Sequence, residues 1–93
     1  MASSTFIPQH FHATLGAHAH VLSVRDGDVV TTTTVDAHGL DHENIQRGGD
    51  TNPMTGPFFV EGAAPGDTLA IEIIRIRMNR RMGWTRQGLA WNV

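Results

Sequence analysis

The 93 residues contain no cysteine, which excludes disulfides, a thiolate zinc site, a blue-copper centre and a cysteine nucleophile. Lysine is missing as well, so all seven basic side chains are arginine. No stretch approaches the roughly 20 apolar residues of a membrane span. Met1 to Phe6 has neither a basic n-region nor an apolar h-region, and the reading is a soluble, cytoplasmic protein with no membrane partner. Helical periodicity is nearly absent, and only Asp41 to Arg47 offers a short helix. Also missing are Gly-x-Ser-x-Gly, Gly-x-x-x-x-Gly-Lys-Ser/Thr and Gly-x-Gly-x-x-Gly. Their absence removes a serine nucleophile elbow, a phosphate loop and a dinucleotide fingerprint.

A chain this short is one domain at most, and a domain of this size buries only somewhat over ~60% of its unfolded surface. Charge is divided unevenly. Residues 1–50 carry six acids against Arg25 and Arg47, about −4, whereas residues 51–93 carry three acids and five arginines, about +2. The arginines Arg75, Arg77, Arg80, Arg81 and Arg86 lack the interleaved aromatic platform of a single-strand binder. They read as a solvated strand end or a subunit contact, with no nucleic-acid partner.

What is present is β-branched residues and turn punctuation, and the fold class read from them is mainly β, built of hairpins and loops with little helix. Val21 to Val24 predicts a strand, and Arg25-Asp26-Gly27-Asp28 a tight hairpin turn. Val29 to Val35 predicts the return strand, its threonine run half-buried on one face. From Asp36 to Asn52 the composition shifts to Asp, His, Asn and Gly, the mark of a long loop. Phe58-Phe59-Val60 predicts a short strand, Ala64-Pro65-Gly66-Asp67 a turn, and Thr68 to Met78 an exit strand whose apolar phase slips between Ile73 and Ile74. Val24 to Val30 and Val60 to Leu69 echo each other, each running valine, turn, Gly-Asp, apolar strand. In both, the Asp after Gly is placed to bond nearby amides and close the turn.

Six histidines fall within the first 42 residues, as His10-Phe11-His12, His18-Ala19-His20, His38 and His42. In an extended segment residues i and i+2 share a side, so either His-x-His pair can offer two imidazoles to one ion, with Asp36 or Asp41 completing the shell.

The run Asn52-Pro53-Met54-Thr55-Gly56-Pro57-Phe58-Phe59-Val60-Glu61-Gly62-Ala63-Ala64-Pro65-Gly66-Asp67-Thr68-Leu69 resembles the signature of the acetamidase/formamidase family. The resemblance extends from about His10 to Trp84. It implies hydrolysis of small aliphatic amides such as formamide and acetamide to a carboxylate and ammonia, by a homo-oligomer, expected as a dimer. It implies a β-sandwich-like amidase domain, of which residues 1–93 would be an N-terminal part, with 1–8 a disordered or extended arm and 79–93 completed by downstream sequence. It points to His10, His12 and Asp36 as ligands of a divalent metal, zinc in the first place, with calcium as a structural ion. Asp36, Asn52 and Glu61 take catalytic positions, and Thr55 and Gly56 contact the substrate. Where many relatives have histidine this chain has Asn52, and His18 and His20 fall where relatives have apolar or proline residues, outside the implied site. The Val-x-x-Gly-Asp-x-Val pattern followed by Asp and His is also similar to cupredoxins. It implies as an alternative a histidine-rich β metal-binding module without catalysis.

Overall fold

The computed structural model of the chain describes residues 2–49 and 51–85. Arg86 and Trp91, like Asp50, lie outside the described residues. Four strands occur in the order β1 (Ser3–Phe6), β2 (Leu22–Val24), β3 (Val29–Thr32) and β4 (Phe58–Val60). No helix is found among the described residues, so the chain is mainly β, and none is long and apolar enough to cross a membrane.

The strands do not form hairpins. β1 pairs with β3 in parallel, Ser3 opposite Val29 and Phe6 opposite Thr32, and β2 pairs with β4 in parallel, Leu22 opposite Phe58 and Val24 opposite Val60. The expected hairpin of β2 with β3 is therefore replaced by an arch between two small sheets. The reason lies in the turn. Gly27 alone takes a positive φ, 85°, while Asp26 does not. That is the signature of a type II turn, and type II turns splay their flanking strands where a two-residue hairpin needs the primed forms.

The second Gly-Asp turn repeats the first. Asp28 N donates to Arg25 O at 3.0 Å and Asp67 N to Ala64 O at 3.0 Å. The Asp28 carboxylate accepts from Arg25 N at 2.9 Å and the Asp67 carboxylate from Ala64 N at 2.9 Å. Gly66 has φ 97°. The two copies differ in the further partners of their aspartates. Asp28 also accepts from Ala2 N at 3.0 Å, which fastens the N-terminal arm as β1. The arm is thus ordered as a strand.

Residues 68–78, expected as the exit strand, have no strand partner among the described residues and are exposed throughout. Leu69, Ile71, Ile73, Ile74, Ile76 and Met78 are 54–83% exposed. With apolar side chains on both faces, this segment needs neighbours on both edges and cover above and below. None of the four described strands lends it an edge.

The two sheets meet where Phe6 of β1 stands edge-on to Phe58 of β4, ring centroids 5.7 Å apart. No large apolar side chain is fully buried among the described residues. The enclosed positions are Gly39, Pro53 and Gly56, all in the loops between β3 and β4.

Candidate functional site: a histidine cleft beside an aspartate-centred loop

The 36–49 stretch is organised by two carboxylates. Asp36 Oδ1 accepts from His38 N at 2.9 Å and Leu40 N at 3.0 Å. Its Oδ2 accepts from Trp84 N at 3.1 Å and from the Arg80 guanidinium. Burial alone would push this carboxyl up. The Leu40 amide, Arg80 and the amides of His38 and Trp84 outweigh it and hold the group below its ordinary value. Asp41 Oδ1 accepts from Glu43 N at 2.9 Å and Ile45 N at 3.0 Å, and its Oδ2 from Arg47 Nε at 2.8 Å. These side-chain bonds, with Asn44 at φ 61°, shape the Asp41–Arg47 stretch into a turn in place of the expected short helix. Gly39, at φ 81°, is packed so closely that a Cβ would lie 2.5 Å from Gly48 O and 2.6 Å from Gln46 Nε2.

The Asn52–Pro57 turn is tied to both the loop and the first histidine segment. Asn52 N donates to Ala37 O at 3.0 Å, and Met54 N donates to His12 O at 2.9 Å. The Thr55 hydroxyl donates to Thr33 O at 2.8 Å, and Val21 N donates to Pro57 O at 2.9 Å. Gly56, at φ 120°, is buried and precedes a cis Gly56–Pro57 bond.

The histidines His10, His12, His18 and His20 line one open depression of about 770 Å³, together with Arg47 and Gly48. His12 and His18 stack with centroids 3.8 Å apart and planes 8° from parallel. His18 Nε2 lies 3.0 Å from Thr14 O and 3.0 Å from Thr14 Oγ1. His20 packs on Phe59 at 5.1 Å, with its Nε2 3.3 Å from Ser23 Oγ.

The implied site residues are therefore distributed. His10 and His12 share the cleft, and His12 is bonded to the turn that carries Asn52 and Thr55. Glu61 belongs elsewhere: its Oε2 accepts from Arg25 Nε at 2.9 Å, beside a separate depression lined by Ser23, Arg25 and Asp28. Asp36 has both oxygens occupied by protein donors and does not line the histidine cleft. Among the described residues, Asp41, His42 and Glu43 are the one group of three whose ligand atoms lie within 4.8 Å of one another. Asp41 already accepts three hydrogen bonds there.

Two groups of residues carry structure that the sequence pattern does not announce. Arg80, read as one arginine of a solvated run, is the counter-ion of Asp36, with side chains only 15% and 9% exposed. No spacing signal links positions 44 apart. His18 and His20, placed outside the site by the resemblance, line the same cleft as His10 and His12; their own His-x-His spacing was the available signal. Comparison with family models, curated proteins and solved structures returned no match.

Proposed function

We propose that the chain is part of a hydrolase of small aliphatic amides, with the histidine cleft and the adjoining Asn52–Pro57 turn forming one side of its site. The observation that carries this reading is the backbone pairing of His12 with Met54, which sets a histidine pair beside the segment most like an amidase signature. Nitrogen donors without a carboxylate in the cleft suit zinc and not calcium, which prefers oxygen ligands. His10 and His12 would hold such an ion, and the chemistry it supplies when bound is polarisation of the amide carbonyl and a water of lowered pKa.

In this reading the chain's own residues position the substrate. Asn52, exposed at a left-handed φ of 57°, offers its side-chain amide as a donor and acceptor for a small carboxamide. Asp36 fixes the loop that receives the Asn52 amide and acts through it, with no direct contact to substrate. A β-sandwich-like domain shared with further sequence, and a dimer, belong to the same proposal. The test is ammonia release from formamide and acetamide with and without added zinc, for the wild-type chain and His12→Ala. Zinc-dependent release lost in His12→Ala supports the reading; no release under either condition refutes catalysis by this chain.

A second reading, a β metal-binding module without catalysis, is favoured by one observation. Both acids assigned catalytic positions are engaged elsewhere, Asp36 by Arg80 and three amides, Glu61 by Arg25.

A further inference from the structure

We infer that residues 68–78 are a self-pairing strand, which lies antiparallel against the same segment of a second copy of this chain with Glu72 opposite Arg75. The inference is independent of the histidine cleft and of catalysis.

The backbone of the segment is prepared for a partner. Residues 68–78 run without a turn or bend, and no backbone hydrogen bond among the described residues uses their N–H or C=O groups. The segment contains no proline, so every residue offers a donor and an acceptor to a second strand.

The side chains choose the register. About the midpoint between Ile73 and Ile74, Leu69 mirrors Met78, Ile71 mirrors Ile76 and Glu72 mirrors Arg75. An antiparallel pair centred there sets each residue opposite its mirror in the other copy, and residues directly opposite share a face. One face then gathers Leu69, Ile71 and Ile73 of one copy beside Met78, Ile76 and Ile74 of the other, and continues into Arg75 opposite Glu72. The second face repeats this with the copies exchanged. These six apolar side chains are 54–83% exposed in the single chain, and each gains an apolar neighbour. The slip of apolar phase between Ile73 and Ile74 cannot serve one buried face. In this register it places the apolar half of each strand beside the apolar half of its partner on both faces.

Neighbouring registers lose both matches. With Ile73 opposite its own copy, Ile71 meets Arg75 and Leu69 meets Arg77. With Ile74 opposite itself, Ile73 meets Arg75 and Glu72 meets Ile76. A parallel pair in register sets Glu72 on Glu72 and Arg75 on Arg75, which like charges disfavour. In the favoured pair the odd-numbered residues of one copy bond the even-numbered residues of the other. The contact is therefore heterologous, and each copy keeps its other edge open.

The experiment measures association of the whole chain by sedimentation over a concentration series. Glu72→Arg alone and Arg75→Glu alone should each weaken it about tenfold or more, because both charge pairs of the contact become repulsive. Mixing these two variants should restore it, and so should the double change Glu72→Arg/Arg75→Glu. The chain has no cysteine of its own, so disulfides report the register. Leu69→Cys mixed with Met78→Cys should cross-link under mild oxidation, whereas Leu69→Cys mixed with Arg77→Cys, on opposite faces, should not. The Trp84 amide shift, set by Asp36, verifies the fold of each variant. Association by the single-charge variants equal to wild type, no recovery on mixing, or cross-linking through Arg77→Cys would each overturn the inference. So would a chain that stays monomeric, and protection of the 68–78 amides in that monomer would assign the segment's partner to the same chain.

Discussion

Asp36→Asn separates the two halves of a carboxylate that the fold uses differently. The Asn carbonyl can still accept from His38 N and Leu40 N, as Oδ1 does at 2.9 and 3.0 Å. Its amide cannot accept from Trp84 N or Arg80, the partners of Oδ2. A hydrogen bond to a charged group contributes about 1.5–3 kcal/mol, and about 1.4 kcal/mol is a tenfold change in an equilibrium. The Trp84 amide should therefore exchange with solvent roughly 10- to 100-fold faster. His38 and Leu40, which trade an anionic acceptor for a neutral one, should change by about threefold to tenfold. Asp36→Ala should release all three. Amide hydrogen exchange by NMR reads each site separately, and a uniform response of the three amides to Asp36→Asn would refute the division of labour between the two oxygens. Removing Arg80 as well, in Asp36→Asn/Arg80→Met, should cost less than the sum of the single changes, because the half-buried guanidinium no longer lacks its anion.

Gly39→Ala should destabilise the loop by about 2 kcal/mol or more, since the residue is left-handed and its Cβ would overlap the Gly48 and Gln46 atoms; loss of the Arg47 and Gly48 amide protection at Gly39 O would register it. The Asp41 carboxyl is held down to about 2, chiefly by the Arg47 hydrogen bond and then by the Ile45 amide. A depressed carboxyl stabilises the fold fully above its ordinary value near 4 and loses that contribution as pH falls toward 2. The Glu43 and Ile45 amide shifts should thus move between about pH 4 and 2, and loosening already at pH 5 would contradict the assignment. The exposed 68–78 segment should bind an apolar dye and drive self-association, both reduced in Ile73→Lys/Ile74→Lys as read by light scattering. Arg25→Ala should cost no more than about 1 kcal/mol in a denaturant titration, because the Arg25–Glu61 pair is exposed.

Much of the local structure was legible in the chain. Phe58 to Val60 is the predicted strand, and the two Gly-Asp turns close through their aspartates as their residues require. Pairing was not legible, because it turns on a single φ. A two-residue Asp-Gly loop of type I′ needs both residues left-handed, and here Gly27 alone is. The polar arm Ser3-Ser4-Thr5 carries no strand pattern of its own, and its capture depends on Asp28 and the edge of β3. At the candidate site, the spacing paired His10 with His12 and His18 with His20, and all four rings line one depression. Spacing could not reveal that Asp36 and Arg80 neutralise each other across 44 positions, or that Glu61 turns away toward Arg25.

The parallel ladders also set the order in which this molecule can assemble. An antiparallel hairpin can form as soon as its own few residues exist, but β1 must wait for β3, 26 positions later, and β2 for β4, 36 positions later. Each ladder closes a long loop before any inter-strand bond forms, the arrangement that makes folding slow relative to chain length. During synthesis, β2 stays without its ladder until Val60 has left the ribosome. Both strands of the first sheet are synthesised by Thr32, before β4 exists, and the second sheet meets the first through the Phe6–Phe58 contact.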